Sequence, residues 1–190
     1  MTLPKLNPDE ILRAEYDYIA QCALQANEDR ARVASFYFVS VGSLVAAILG
    51  SLLAGGNMSG LVYLAFGLLF VVLTVLGVVT IFQLARLRSA WNSAVSAMNA
   101  VKDFYIKKHP DLKIPIKWRK LPERENWYSI ANLLRIQIGF LSGMTFAAAS
   151  YTLFRSCSSE LVWWKWGITI IAPIVLYFLE WHWYRQLLKK

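Results

Sequence analysis

Charge is missing where a soluble domain would carry it. From Val33 to Ala85, 53 consecutive residues, there is no Asp, Glu, Lys or Arg. Over the 190-residue chain, charged residues make up 17% and apolar residues 57%. A soluble domain is about 25% charged, so this composition excludes one, and the apolar excess also excludes disorder. A bilayer crossing takes about 20 residues, so the run holds two crossings and a tight turn. Catalytic signatures are missing too. The two histidines, His109 and His182, lie far apart, and neither Cys22 nor Cys157 has a second Cys or a His at metal-ligand spacing. No Walker loop, dinucleotide fingerprint, His-Glu-x-x-His or Gly-x-Ser-x-Gly occurs. The expectation is a non-enzyme with no catalytic residue, no metal and no cofactor. The N-terminal residues lack a basic segment followed by an apolar one, which predicts no cleaved signal peptide.

What is present is a set of apolar runs with patterned edges. The first crossing is expected over 34–54 and the second over 61–84, joined by the turn formers Gly55-Gly-Asn-Met-Ser-Gly60. A third uncharged run spans Ile136 to Phe154. The fourth is shorter, because Lys165 and Glu180 bracket it. Its flanks recover a span: Trp163, Trp164 and Trp166 mark one headgroup level, and Trp181, Trp183 and Tyr184 the other. Eighteen of the 20 Lys and Arg residues fall in 1–33, 85–135 and 185–190, leaving only Arg155 and Lys165 on the other side. The positive side stays inside, so both termini are expected in the cytoplasm of a plasma (inner) membrane protein. The net charge of +8 is then topogenic, with anionic lipid headgroups as its natural contact.

The expected fold is all-α: four transmembrane helices in two hairpins plus a cytoplasmic helical stalk. Its parts are an N-terminal cytoplasmic helix (1–33), a first hairpin (34–84), a cytoplasmic helix with a basic, proline-punctuated linker (85–131), and a second hairpin with a short tail (132–190). Asn7-Pro8-Asp9-Glu10 reads as a helix start: Asn7 caps, Pro8 takes the first helical position, and the acids suit the positive helix end. Leu12, Tyr16, Ile19, Ala23, Ala26, Arg30 and Val33 then recur at spacings of four and three. Beyond the second crossing, Leu84, Leu87, Trp91, Ala94, Met98, Val101 and Tyr105 repeat in the same way, the seam of a packed helix pair. The linker offers a cytoplasmic basic surface at Lys113, Lys117, Arg119 and Lys120.

Inside the expected membrane zone, small residues recur every fourth position. Gly42, Ala46 and Gly50 do so in the first crossing, and Gly139, Gly143 and Ala147 in the third. Such rows let helix backbones approach closely. The second and fourth crossings mostly lack them and are expected to face lipid. Ser142, Thr145 and Thr152 form a polar stripe on the third crossing, readable as a pore lining or as ordinary packing with hydroxyls bonded one turn back. Arg135 and Glu180 are expected at similar depth on neighbouring helices, as a candidate ion pair.

The order of cytoplasmic helix, crossing, tight loop, crossing and cytoplasmic helix covers roughly residues 10–108. In layout it resembles the SLATT-type membrane effectors of prokaryotic conflict systems. The segment from Glu15-Tyr-Asp-Tyr-Ile-Ala-Gln21 to Asn27-Glu-Asp-Arg-Ala-Arg32 also resembles a family of bacterial multi-pass membrane proteins. The layout resemblance implies pore formation on activation by a nucleotide signal or a partner. The second hairpin departs from that layout, and no functional residue carries over. The expected function is an oligomeric, channel-like membrane effector gated through its cytoplasmic helices. A non-conducting anchor that docks a soluble partner is the alternative. Expected partners are the bilayer, anionic headgroups, further copies of the chain, and a cytoplasmic protein or nucleotide.

Overall fold

The computed structural model describes residues 7–53, 59–110, 129–157 and 162–188. Its elements are four helices: α1 (Pro8–Leu53), α2 (Gly60–Lys108), α3 (Ile130–Cys157) and α4 (Trp163–Leu188), with no strand among the described residues. The start of α1 is where the sequence puts it. Asn7 Oδ1 accepts the Asp9 backbone N–H at 3.3 Å, a weak N-terminal cap. With 46 and 49 residues, α1 and α2 each reach about 70 Å, more than twice the hydrocarbon thickness of a bilayer. They run antiparallel for that whole length. At the far end Lys108 Nζ lies 3.8 Å from Asp9 Oδ1.

The seam residues of both long helices face inward. Ala23, Ala26 and, further along, Ala34, Tyr37 and Val41 are buried on α1. On α2 all seven predicted positions, Leu84, Leu87, Trp91, Ala94, Met98, Val101 and Tyr105, are buried or half-buried, but the face is turned slightly from the expected one. Its fully buried residues after Leu84 and Ala85 are Arg88 and Val95, each one position beyond the predicted Leu87 and Ala94.

The short helices complete the bundle. α2 sits centrally and packs against α1, α3 and α4, whereas the α1 and α4 backbones do not approach closely. This differs from the expectation that the second crossing faces lipid. Gly67, Phe70, Leu73, Thr74, Gly77, Thr80 and Ile81 are buried along α2. Gly77 shows why the approach is close. A Cβ there would stand 2.6 Å from the Tyr37 hydroxyl of α1 and 2.8 Å from Ser142 Cβ of α3, so only glycine lets three helices meet at that level.

Outside this core the surface is apolar around the bundle. Val39 and Leu49 of α1, Val72 and Val75 of α2, Phe140 of α3, and Ile171 and Ile174 of α4 are all exposed. Soluble proteins rarely expose so broad an apolar band. Three helices are long and apolar enough to cross a membrane, 9–51, α2 and α3, whose 18-residue apolar stretches have mean hydropathies of 2.0, 2.8 and 1.2. Together these features point to a membrane protein. α4 is not one of the three, since Lys165 and Glu180 leave it a short uncharged core.

Candidate functional site

Two polar layers lie inside the bundle, stacked along its axis. The first is a hydroxyl and carboxyl cluster where α1, α2, α3 and α4 converge. Glu180 of α4 is only 2% exposed, and its Oε1 accepts a 2.8 Å hydrogen bond from Ser142 Oγ of α3. Thr145 is one turn away, with its Oγ1 3.1 Å from Thr74 Oγ1 of α2. Both threonine hydroxyls also reach backbone carbonyls of their own helices, Thr145 to Ser142 and Thr74 to Phe70. The Tyr37 hydroxyl and Glu180 Oε2 are buried at the same place without a hydrogen-bond partner. The polar stripe therefore points into the bundle: Ser142 and Thr145 are buried, and Thr152 is half-buried with its hydroxyl on the Ala148 carbonyl at 2.7 Å.

The second layer is cationic and lies toward the charged end. Arg135 of α3 is 3% exposed and Arg88 of α2 is 6% exposed. Arg135 donates from Nε to Asn132 Oδ1 at 3.2 Å, and its guanidinium sits 5.3 Å from the Trp181 ring and 5.6 Å from the Tyr184 ring. Such aromatic faces stabilise a desolvated cation electrostatically. Arg88 donates from Nη1 to the Tyr184 hydroxyl at 3.2 Å. Arg30 of α1 completes the layer, with Nε and Nη2 buried and unpartnered.

Arg135 and Glu180 are both buried on adjacent helices, and the guanidinium charge acts favourably on the carboxylate. The antiparallel packing sets Glu180 level with Gly139 and Ser142, while Arg135 lies nearer the charged end beside Trp181 and Tyr184. The carboxylate takes a hydroxyl partner and the guanidinium takes an aromatic cage.

The small-residue rows divide between inside and outside. Gly139 and Gly143 are buried against α4. A Cβ on Gly139 would lie 3.2 Å from the Tyr177 ring, and one on Gly143 would lie 3.4 Å from the Pro173 carbonyl oxygen. Ala147 is half-buried on that helix. By contrast Gly42, Ala46 and Gly50 are exposed on α1, and a Cβ at Gly42 or Gly50 would meet nothing within 4 Å. The basic cluster Lys113, Lys117, Arg119 and Lys120 lies outside the described residues. Among the described residues no group of three or more His, Cys, Asp or Glu side chains could hold a metal ion.

Several inward residues have a readable signal in the sequence. One more step of the α1 spacing beyond Val33 lands on the buried Tyr37, while the following step lands on the half-buried Ser40, one residue short of the buried Val41. Arg88 is missed because the α2 spacing takes the apolar residue before it, Leu87, although the α1 spacing does include Arg30. The chain matches no protein family, no curated protein and no solved structure.

Proposed function

We propose that the chain is an inner-membrane protein with four crossings and both termini in the cytoplasm. In this reading it assembles as a homo-oligomer through α1, and it acts as a channel-like effector gated through the cytoplasmic part of α1 and α2. One observation carries the reading: α1 offers a face of small residues that its own chain leaves uncovered. Gly42, Ala46 and Gly50 are exposed together with Ser43 and Ala47, and only 17% of the most apolar stretch of α1 is buried, against 39% for α2. Such faces favour close helix–helix contact in lipid, where large side chains gain nothing by leaving the acyl chains. α4 supplies the fourth crossing in this reading, with its tryptophans at the two headgroup levels and Glu180 sheltered inside by Ser142. The SLATT-like layout of residues 10–108 accords with gating by the long helices.

The test is purification in detergent, with the oligomer mass measured by light scattering and conductance measured in planar bilayers. A discrete multimer that conducts is the expected result, and Gly50→Leu should return a non-conducting monomer. A wild-type protein that is strictly monomeric and non-conducting would refute the reading.

A further inference from the structure

At the charged end, α1, α2 and the first turn of α3 enclose a cavity of about 650 Å³. Asn27 and Arg30 come from α1, Arg88 and Trp91 from α2, and Ser129 and Ile130 from the start of α3. This volume falls within the range of small-molecule sites. Its electrostatics favour one sign. Arg88 is 6% exposed, and Arg30 keeps Nε and Nη2 buried without any hydrogen-bond acceptor. The Arg88 charge acts unfavourably on Arg30 rather than balancing it. The one acid on the wall, Glu28, is 3.5 Å from Arg32, which draws it to that outer side. The third wall is the N-terminus of α3, a 28-residue helix that brings the positive end of its dipole to the cavity, with the Asn132 N–H capped by Ser129 Oγ at 3.3 Å.

The buried Arg88 and the buried Nε and Nη2 of the half-buried Arg30 have no carboxylate beside them, which is costly unless an anion joins them. We propose that this cavity binds a phosphate-bearing anion, held by Arg30 and Arg88 and by the N-terminus of α3. Phosphate fits this donor set because a guanidinium fork engages two of its oxygens at once, and Nε with Nη2 of Arg30 forms one such fork. The position allows two sources. Arg30 and Arg88 lie about one helical turn beyond the ends of the uncharged crossings, at the depth of a headgroup, so a phospholipid phosphate reaches the cavity from the bilayer. A soluble phosphate compound reaches it from the aqueous side. The inference goes beyond the proposed function and does not require it, because binding is read on the purified chain whether or not it conducts.

The experiment uses the full chain in lipid-depleted detergent and follows thermal unfolding. One arm titrates pyrophosphate against sodium chloride at matched ionic strength. The other adds phosphatidylglycerol in mixed micelles against phosphatidylcholine. A saturable rise in unfolding temperature is expected in at least one arm, and the arm that responds names the source. Arg30→Gln should weaken that response by about tenfold or more, the loss of one charged hydrogen-bonding group. Arg86→Gln, an exposed neighbour of Arg88, should bind within about twofold of wild type. Without ligand, Arg30→Gln should unfold at the same temperature as wild type or higher, because it removes an unpaired charge. That last readout separates a ligand contact from a structural one. Arg88→Gln loses its bond to Tyr184 as well, so Arg30→Gln decides the matter alone if Arg88→Gln does not fold. The proposal fails if neither probe stabilises the wild type beyond its control. It fails equally if Arg30→Gln responds like wild type, or if Arg30→Gln destabilises the ligand-free chain.

Discussion

Ser142 is the donor on which the buried Glu180 depends, and the two residues should behave as a unit. Removing the hydroxyl with Ser142→Ala leaves a carboxyl group 2% exposed with no hydrogen bond from the chain. The expected loss is about 1–3 kcal/mol of stability. In a Glu180→Leu background the same change should cost little, because the acceptor is already gone. Thermal unfolding of the two single variants and the double variant measures this coupling. A parallel cycle on Arg135 and Glu180 should return a smaller coupling, since each has a different partner. Additive losses for Ser142 and Glu180 would contradict the assignment. The sequence makes both Arg135 and Glu180 conspicuous, because charges beside apolar runs are rare. It does not reveal their pairing, which depends on the rotation and stagger of α3 against α4. A second residue-scale prediction concerns glycine. Gly77→Ala should destabilise by about 1–3 kcal/mol, because its methyl group would strike Tyr37 and Ser142. Gly167→Ala, where nothing lies within 4 Å, should be neutral or stabilise by up to about 1 kcal/mol. Equal effects of these two changes in the same unfolding assay would undo the close-approach argument.

Among the elements, the long arms of α1 and α2 are the most legible in the sequence and α2 within the bundle the least. The spacing from Leu12 to Val33 identifies the inner face of α1, because an amphipathic helix outside lipid must hide its apolar stripe. On α2 the seven positions found by the same search are all buried or half-buried, but two of the most buried residues of the arm lie one position further on. The search prefers Leu87 and Ala94, while the buried neighbours are Arg88 and Val95. The α2 seam takes apolar residues throughout, so Arg88 falls outside it, whereas the α1 spacing admits Arg30. The central role of α2 is harder still to see. Apolar residues surround it on all sides in sequence, so no contrast marks which of them touch protein and which face outward. Only Gly67 and Gly77 betray the packed side. The arm assignment is testable by charge. Val95→Asp should cost at least about 2 kcal/mol by placing a carboxylate in the helix–helix seam, and Ser96→Asp, on the exposed side, should cost little. Helicity followed by circular dichroism during heating separates the two, and equal losses would place the seam elsewhere.

At the scale of the whole molecule, topology and assembly remain the claims with most consequence. The charge asymmetry was fully legible, because Lys and Arg cluster in 1–33 and 85–135. The proposed assembly shows in the sequence only as two small-residue rows of equal standing. The structure separates them, turning Gly139 and Gly143 onto α4 and leaving Gly42, Ala46 and Gly50 uncovered. In the proposed orientation, an impermeant thiol reagent on intact cells should modify the exposed Cys157 and spare Cys22. The reverse pattern would invert the topology. Assembly through α1 is tested most directly by disulfide cross-linking in native membranes. A chain with Cys22→Ser and Cys157→Ser carries one new cysteine, either Ala46→Cys on the uncovered face of α1 or Ile171→Cys on the exposed apolar side of α4. Mild oxidation should convert Ala46→Cys to a covalent dimer and leave Ile171→Cys monomeric. No dimer from Ala46→Cys, or equal dimer from both positions, would contradict assembly through α1.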